Sequence, residues 1–96
     1  MATVELSPTA VEDLETLILT HSLPADTKRR IKRSLRPLER FPLMGPALSG
    51  RWAGLRFVLG PWRWLLLVYS VDESGDRVVV VTMQDARSST AATTHR

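Results

Sequence analysis

At 96 residues the chain has room for one hydrophobic core and one domain. It contains no cysteine, which excludes a disulfide framework and thiolate-held metal, and no stretch approaches the about 20 apolar residues of a membrane span. The first residues lack the basic-then-apolar pattern of a secretory signal, so a cytoplasmic protein is expected.

The net charge of +3 conceals an asymmetry. Residues 1–27 carry Glu5, Glu12, Asp13, Glu15 and Asp26 with no basic residue, a charge of −5. Residues 28–40 carry Lys28, Arg29, Arg30, Lys32, Arg33, Arg36 and Arg40 against Glu39, a charge of +6. Such a stripe suits an acidic partner or a nucleic acid, or is the solvated face of an amphipathic helix.

Thr3 to Leu6 alternates weakly and reads as an edge or pairing strand. Ser7-Pro8 is a helix start, with a hydroxyl to accept from the first turn and a proline whose missing N–H costs nothing there. Glu12 and Asp13 are expected near the positive end of the dipole, and Val11, Leu14 and Ile18 mark one apolar face. The helix should stop between His21 and Leu23, ahead of Pro24. A lone histidine there reads as a partner of the helix dipole, with no carboxylate or serine in evident reach.

A second helix is expected from about Ala25, with Ile31, Leu35 and Leu38 inward and the cations outward, forming a helical hairpin with the first. Pro37 should break or loosen it. Residues 41–51, FPLMGPALSGR, read as a loop.

Leu55 to Leu59 and Trp62 to Val71 then read as a β-hairpin turned at Gly60-Pro61. Alternation puts Trp62, Trp64, Leu66 and Val68 on one face, and Arg63, Leu65, Leu67, Tyr69 and Val71 on the other. The turn Asp72 to Asp76 leads into a last strand, Arg77 to Met83. The fold class that follows is α+β: an N-terminal strand and a helical hairpin packed on a small antiparallel β-sheet. Residues 1–84 form the domain, and 85–96 a Ser/Thr/Ala-rich tail expected to be flexible beyond about residue 88. Two helices cover one face of such a sheet and leave its other apolar face open, so a protein partner or a second copy is expected to cover part of the sheet or its helical side.

There is no phosphate-cradling glycine loop and no metal-ligand spacing, which argues against a conventional acid–base hydrolase. Arginine remains. Arg56, Arg63 and Arg87 come from three successive strand regions and could converge on a phosphate, stabilising developing negative charge. RNA cleavage can use so sparse a site because the substrate supplies its own 2′-hydroxyl.

The order of these features resembles the RelE/ParE superfamily of toxins from bacterial type II toxin–antitoxin systems. The resemblance rests on the strand, Ser-Pro and acidic helix of Val4 to Leu17; on Ile31, Leu35 and Leu38 followed by Pro42 and Gly45; on Leu55-Arg56; on Gly60, Trp62 and Arg63; and on a strand ending near Arg87. It implies a small α/β toxin neutralised by a cognate antitoxin whose C-terminal segment wraps helices and sheet. In the ribosome-dependent ribonucleases of that family, basic residues on the central strands and at the end of the last strand line the RNA site. The resemblance thus implies a cofactor-free mRNA endoribonuclease with Arg56, Arg63 and Arg87 as catalytic groups. Lys28, Arg29, Lys32, Arg33 and Arg36 are then candidate RNA contacts.

The chain departs from the pattern in three places. Leu66 stands where a tyrosine is common, Val58 where a second basic residue is common, and no tyrosine follows Arg87, with His95 the nearest candidate. The departures leave room for the branch that inhibits DNA gyrase by binding alone, and for an interaction module that has lost toxicity.

Overall fold

The computed structural model describes residues 1–88 and 90–93. Strand β1 (Thr3–Leu6) leads into helix α1 (Pro8–Thr20) and helix α2 (Thr27–Leu35), which tightens into a 3-10 turn over Arg36–Glu39. Strands β2 (Arg56–Leu59), β3 (Leu65–Val71) and β4 (Arg77–Asp85) follow. The sheet order is β1-β4-β3-β2, and β1 joins β4 in parallel while the other pairs are antiparallel. The meander expected from the sequence is therefore antiparallel, and β1 makes the whole sheet mixed.

Both helices begin and end for local reasons. Ser7 caps α1 by accepting from the Ala10 N–H at 3.0 Å. The helix ends one turn before Pro24 takes effect: Ser22 adopts φ 50°, and the Leu23 N–H reaches back to the Ile18 carbonyl at 3.1 Å, a Schellman closure. His21 is the C-cap. Asp13 does not serve the helix dipole. Its carboxylate accepts from the Thr82 hydroxyl at 2.5 Å and the Met83 N–H at 3.1 Å, tying α1 to β4. Pro37 breaks α2 as its chemistry requires, and the chain continues as 3-10 so that Leu38 still reaches the core after Ile31 and Leu35.

The helix-side core joins Ala10, Leu14, Leu17, Ile31, Leu35 and Leu38 to Leu65, Leu67, Tyr69, Val78, Val80 and Met83. Each fully buried aliphatic side chain of this set contributes about 1.5–3 kcal/mol of transfer free energy. A register shift between Val68 and Tyr69 leaves Val81 as an extra residue in β4, so Met83 rather than Thr82 reaches the core side.

Two expectations are corrected here. The second face of the sheet is not left open: Leu66 and Val68 lie under Ala91, flanked by Leu48, Leu55, Phe57 and Ala92. The loop supplies Leu48 there and the tail, despite its polar composition, supplies Ala91 and Ala92, and the Ala92 N–H is held by the Gln84 side-chain oxygen at 2.8 Å. Strand β3 also begins three residues later than alternation suggests. Pro61 has no N–H to donate to a ladder, and the turn closes instead through Gly60 N–H to the Leu65 carbonyl at 2.9 Å and Leu65 N–H to the Trp62 carbonyl at 3.0 Å. Residues 61–64 are turn, so strand parity does not govern Trp62 and Trp64, and both pack on the helix side with Leu65, Leu67 and Tyr69.

Candidate functional site

The turn before β3, the end of β4 and the end of α1 meet in one cluster. Trp64 is its centre: the His21 ring stacks on it at 4.7 Å between centroids and 10° between planes, and Trp62 stacks beyond at 5.9 Å and 13°. The Arg87 guanidinium lies over Trp64 at 5.2 Å, and Arg30 from α2 lies over Trp62 at 5.9 Å. The backbone locks the same corner, because the Ala86 N–H donates to the Trp64 carbonyl at 2.6 Å. Arg63, between the tryptophans, points outward and is exposed, with no ion pair among the described residues.

Asp85 organises the polar half. It accepts from Arg87 Nε at 2.9 Å and Nη2 at 2.8 Å, from the Arg87 backbone N–H at 2.9 Å, and from His21 Nε2 at 3.0 Å. The Arg87 guanidinium, then the Arg87 N–H and His21, hold its carboxyl far below the usual carboxylate range. Asp85 in turn raises Arg87 above its ordinary value through the same hydrogen bonds. Arg87 Nη1 donates to no described protein group. The other nitrogen of His21, Nδ1, is 2.8 Å from the Thr20 hydroxyl, which also lies 2.9 Å from the Thr16 carbonyl.

The three arginines do not converge. Arg87 lies in this corner and Arg63 adjoins it in the turn between the tryptophans, its side chain exposed, but Arg56 is at the opposite end of β2, beside the β3–β4 turn. Its Nη1 donates to the carbonyls of Leu43 at 3.2 Å and Gly45 at 2.8 Å, and a cavity next to it is lined by Pro42, Val71 and Asp72. Those carbonyls are fixed by Tyr69, whose hydroxyl donates to Pro42 O at 2.8 Å and accepts from the Gly45 N–H at 3.1 Å. Arg56 is a staple of the loop. The expectation that His21 lacks a carboxylate partner is also overturned, since Asp85 lies 64 residues away in sequence and no local spacing signals it. His95 lies outside the described residues.

The basic stripe falls elsewhere. Lys28, Arg29, Lys32 and Arg36, with the single acid Glu39, rim a groove of about 560 Å³ whose floor is Val4, Leu6, Val11, Leu14, Ile31 and Leu35, while Arg33 is exposed outside it. Arg29 and Arg30 pair with Asp26 at 3.8 and 2.9 Å, whereas Lys28, Lys32, Arg33 and Arg36 have no ion pair among the described residues. Among the described residues no group of three or more His, Asp or Glu is placed to hold a metal ion, and no helix is long and apolar enough to cross a membrane.

No protein-family model and no curated protein sequence matches the chain. Solved structures do. The toxin–antitoxin complex RelBE2 from Mycobacterium tuberculosis is similar at 26% identity and a TM-score of 0.66, over 88% of this chain and 96% of that one. The chromosomal ParDE toxin–antitoxin system of P. aeruginosa is similar at 13% identity and a TM-score of 0.68, over 91% and 98%. A YoeB/ParE toxin from Agrobacterium tumefaciens follows at 22% identity and 0.66, over 88% and 98%.

Proposed function

The chain belongs to the RelE/ParE superfamily, and on that premise we propose that it is the toxin of a bacterial type II toxin–antitoxin pair, an endoribonuclease acting on mRNA at the ribosome. The observation that carries the reading is the corner where exposed Arg63 and the Arg87 guanidinium, with Nη1 uncommitted, stand beside the stacked tryptophans. Two cations on a rigid aromatic base can bind a backbone phosphate and stabilise the charge that grows on it as the 2′-oxygen attacks. Arg56 has no part in that chemistry, because it lies at the far end of β2 with Nη1 bridging two loop carbonyls.

The antitoxin partner fits the groove between β1 and α2. An apolar floor rimmed by cations, of which Lys28, Lys32 and Arg36 have no ion pair among the described residues, suits an acidic amphipathic segment, its apolar side chains on Ile31 and Leu35 and its carboxylates toward those three. On this reading Lys28, Arg29, Lys32 and Arg36 serve the neutralising protein before they serve RNA.

A gyrase-binding toxin is the second reading. What favours it is that Asp85 holds two of the three Arg87 nitrogens, which lowers the net charge of the corner. Purified chain added to a translating system separates the two. The ribonuclease reading expects mRNA ends mapped within ribosome-covered codons, and a loss of about 100-fold or more in Arg63→Ala/Arg87→Ala. Growth arrest that survives the double substitution, with intact message and inhibited DNA supercoiling, sinks it.

A further inference from the structure

His21 has no role in the phosphate-binding chemistry of Arg63 and Arg87, yet it is held more tightly than a surface histidine needs to be. Its backbone is the C-cap of α1, its N–H bonded to the Leu17 carbonyl at 2.9 Å, and its ring is clamped by stacking on Trp64. The ring lies beside the Asp85–Arg87 pair, and its side chain retains 27% exposure, enough for a substrate atom to reach it.

We propose that His21 is the general base of RNA cleavage in this protein, with Asp85 as the residue that positions it. The inference rests on the ribonuclease reading above. A carboxylate can only accept, so Asp85 Oδ2 at 3.0 Å requires the proton on Nε2, and in the neutral imidazole that leaves Nδ1 with its lone pair. Nδ1 faces the Thr20 hydroxyl at 2.8 Å. That hydroxyl has a single proton and a second acceptor, the Thr16 carbonyl at 2.9 Å. The oxygen stays 2.8 Å from Nδ1 whichever way its proton turns, so it stands between the ring and any other hydroxyl and relays a proton to Nδ1. Carboxylate, imidazole and hydroxyl stand in line, the arrangement by which an oriented histidine activates an oxygen nucleophile.

In the step itself, Thr20 Oγ takes the proton of the RNA 2′-hydroxyl as it passes its own proton to Nδ1, and the O2′–P bond forms while the P–O5′ bond breaks. The leaving O5′ takes a proton from water, and the hydroxide so formed is neutralised by the proton that His21 carries. The products are a 2′,3′-cyclic phosphate and a 5′-hydroxyl end, with no net oxidation or reduction. Arg63 and Arg87 Nη1 face the phosphate oxygens throughout.

The test is single-turnover cleavage of mRNA on programmed ribosomes, with product ends identified. Wild type yields a cyclic phosphate. His21→Ala, still folded by circular dichroism and still bound to the ribosome, loses about 100-fold or more in rate. Added imidazole, filling the space on Trp64, restores part of it, which a merely structural histidine would not allow. Asp85→Asn slows cleavage about tenfold or more by fixing the wrong tautomer. Should His21→Ala unfold, His21→Gln keeps bulk and a donor toward Asp85 and must lose the rate as well. Wild-type rates in a folded His21 variant, or a loss that imidazole leaves untouched, overturn the role of His21 while ribonuclease activity stands. A wild-type protein that cleaves no message overturns both the inference and the reading beneath it.

Discussion

The two ends of the sheet use arginine in opposite ways. Beside the β3–β4 turn, Arg56 faces backbone carbonyls of a proline-rich loop, and with Tyr69 it converts that loop into a fixed wall. At the other end, Arg63 faces solvent and Arg87 faces a carboxylate and an indole. The residue type is the same, so the difference comes from where the chain places each guanidinium, Arg56 at the start of β2 and Arg63 and Arg87 in turns, and from the acceptors that surround it. A guanidinium whose Nη1 bridges two main-chain oxygens of a loop is part of the fold, and one with an open nitrogen above an aromatic ring is available to a substrate.

The strongest way to break the comparison is to remove the loop wall itself. A Cβ at Gly45 would sit far inside contact distance of the Phe57 carbonyl oxygen and 2.8 Å from the Tyr69 hydroxyl. Both neighbours are held, one in β2 and one in the core, so neither can give way cheaply. Gly45→Ala is expected to cost about 3 kcal/mol or more, from overpacking together with a lost buried hydrogen bond, read as the shift of the urea midpoint. A change below about 0.5 kcal/mol would mean that the loop is free to move, and Arg56 would then be no staple.

The next test sets the two ends against each other. Arg56→Ala removes two charge-assisted bonds and leaves the Leu43 and Gly45 carbonyls without them, a loss of about 1.5–3 kcal/mol of stability. Cleavage per folded molecule should stay near wild type. Arg63→Ala should do the reverse, staying within about 0.5 kcal/mol in stability because it loses no protein partner. Activity lost at Arg56 without loss of stability would put that residue back in the cleavage site.

Much of this was legible from residue order, and the failures have identifiable physical sources. The start of α1, the break at Pro37 and the inward stripe of Ile31, Leu35 and Leu38 follow from local rules, and they hold. The two tryptophans were misplaced because alternation was carried through Pro61, where no ladder can form. Once that segment turns, Trp62 and Trp64 swing to the helix side, and the aromatic half of the corner appears. The pairing of His21 with Asp85 depends on α1 running along β4 as far as its last residue, a tertiary fact with no periodic trace. The covering of Leu66 and Val68 by Ala91 escaped for a similar reason, since one alanine in a polar tail carries no hydrophobic pattern.

The finest probe of the comparison is the single tyrosine of the chain, because it reports whether the Arg56 end behaves as core. Burial pushes the Tyr69 phenol above its ordinary value of 10.0, and the Gly45 N–H and the nearby Arg56 charge pull it back in part. A neutral acid whose folded pKa is raised contributes stability that is complete below the unfolded value and is lost as pH rises through the folded one. Tyr69 absorbance should therefore change only above pH 10, and unfolding should ease over the same interval. In Arg56→Ala the nearby cation is gone, so the midpoint should move higher still if the loop keeps its place. A midpoint that falls back to the value of a free tyrosine would mean that the loop has opened to water, and that Arg56 holds the wall closed rather than merely resting on it.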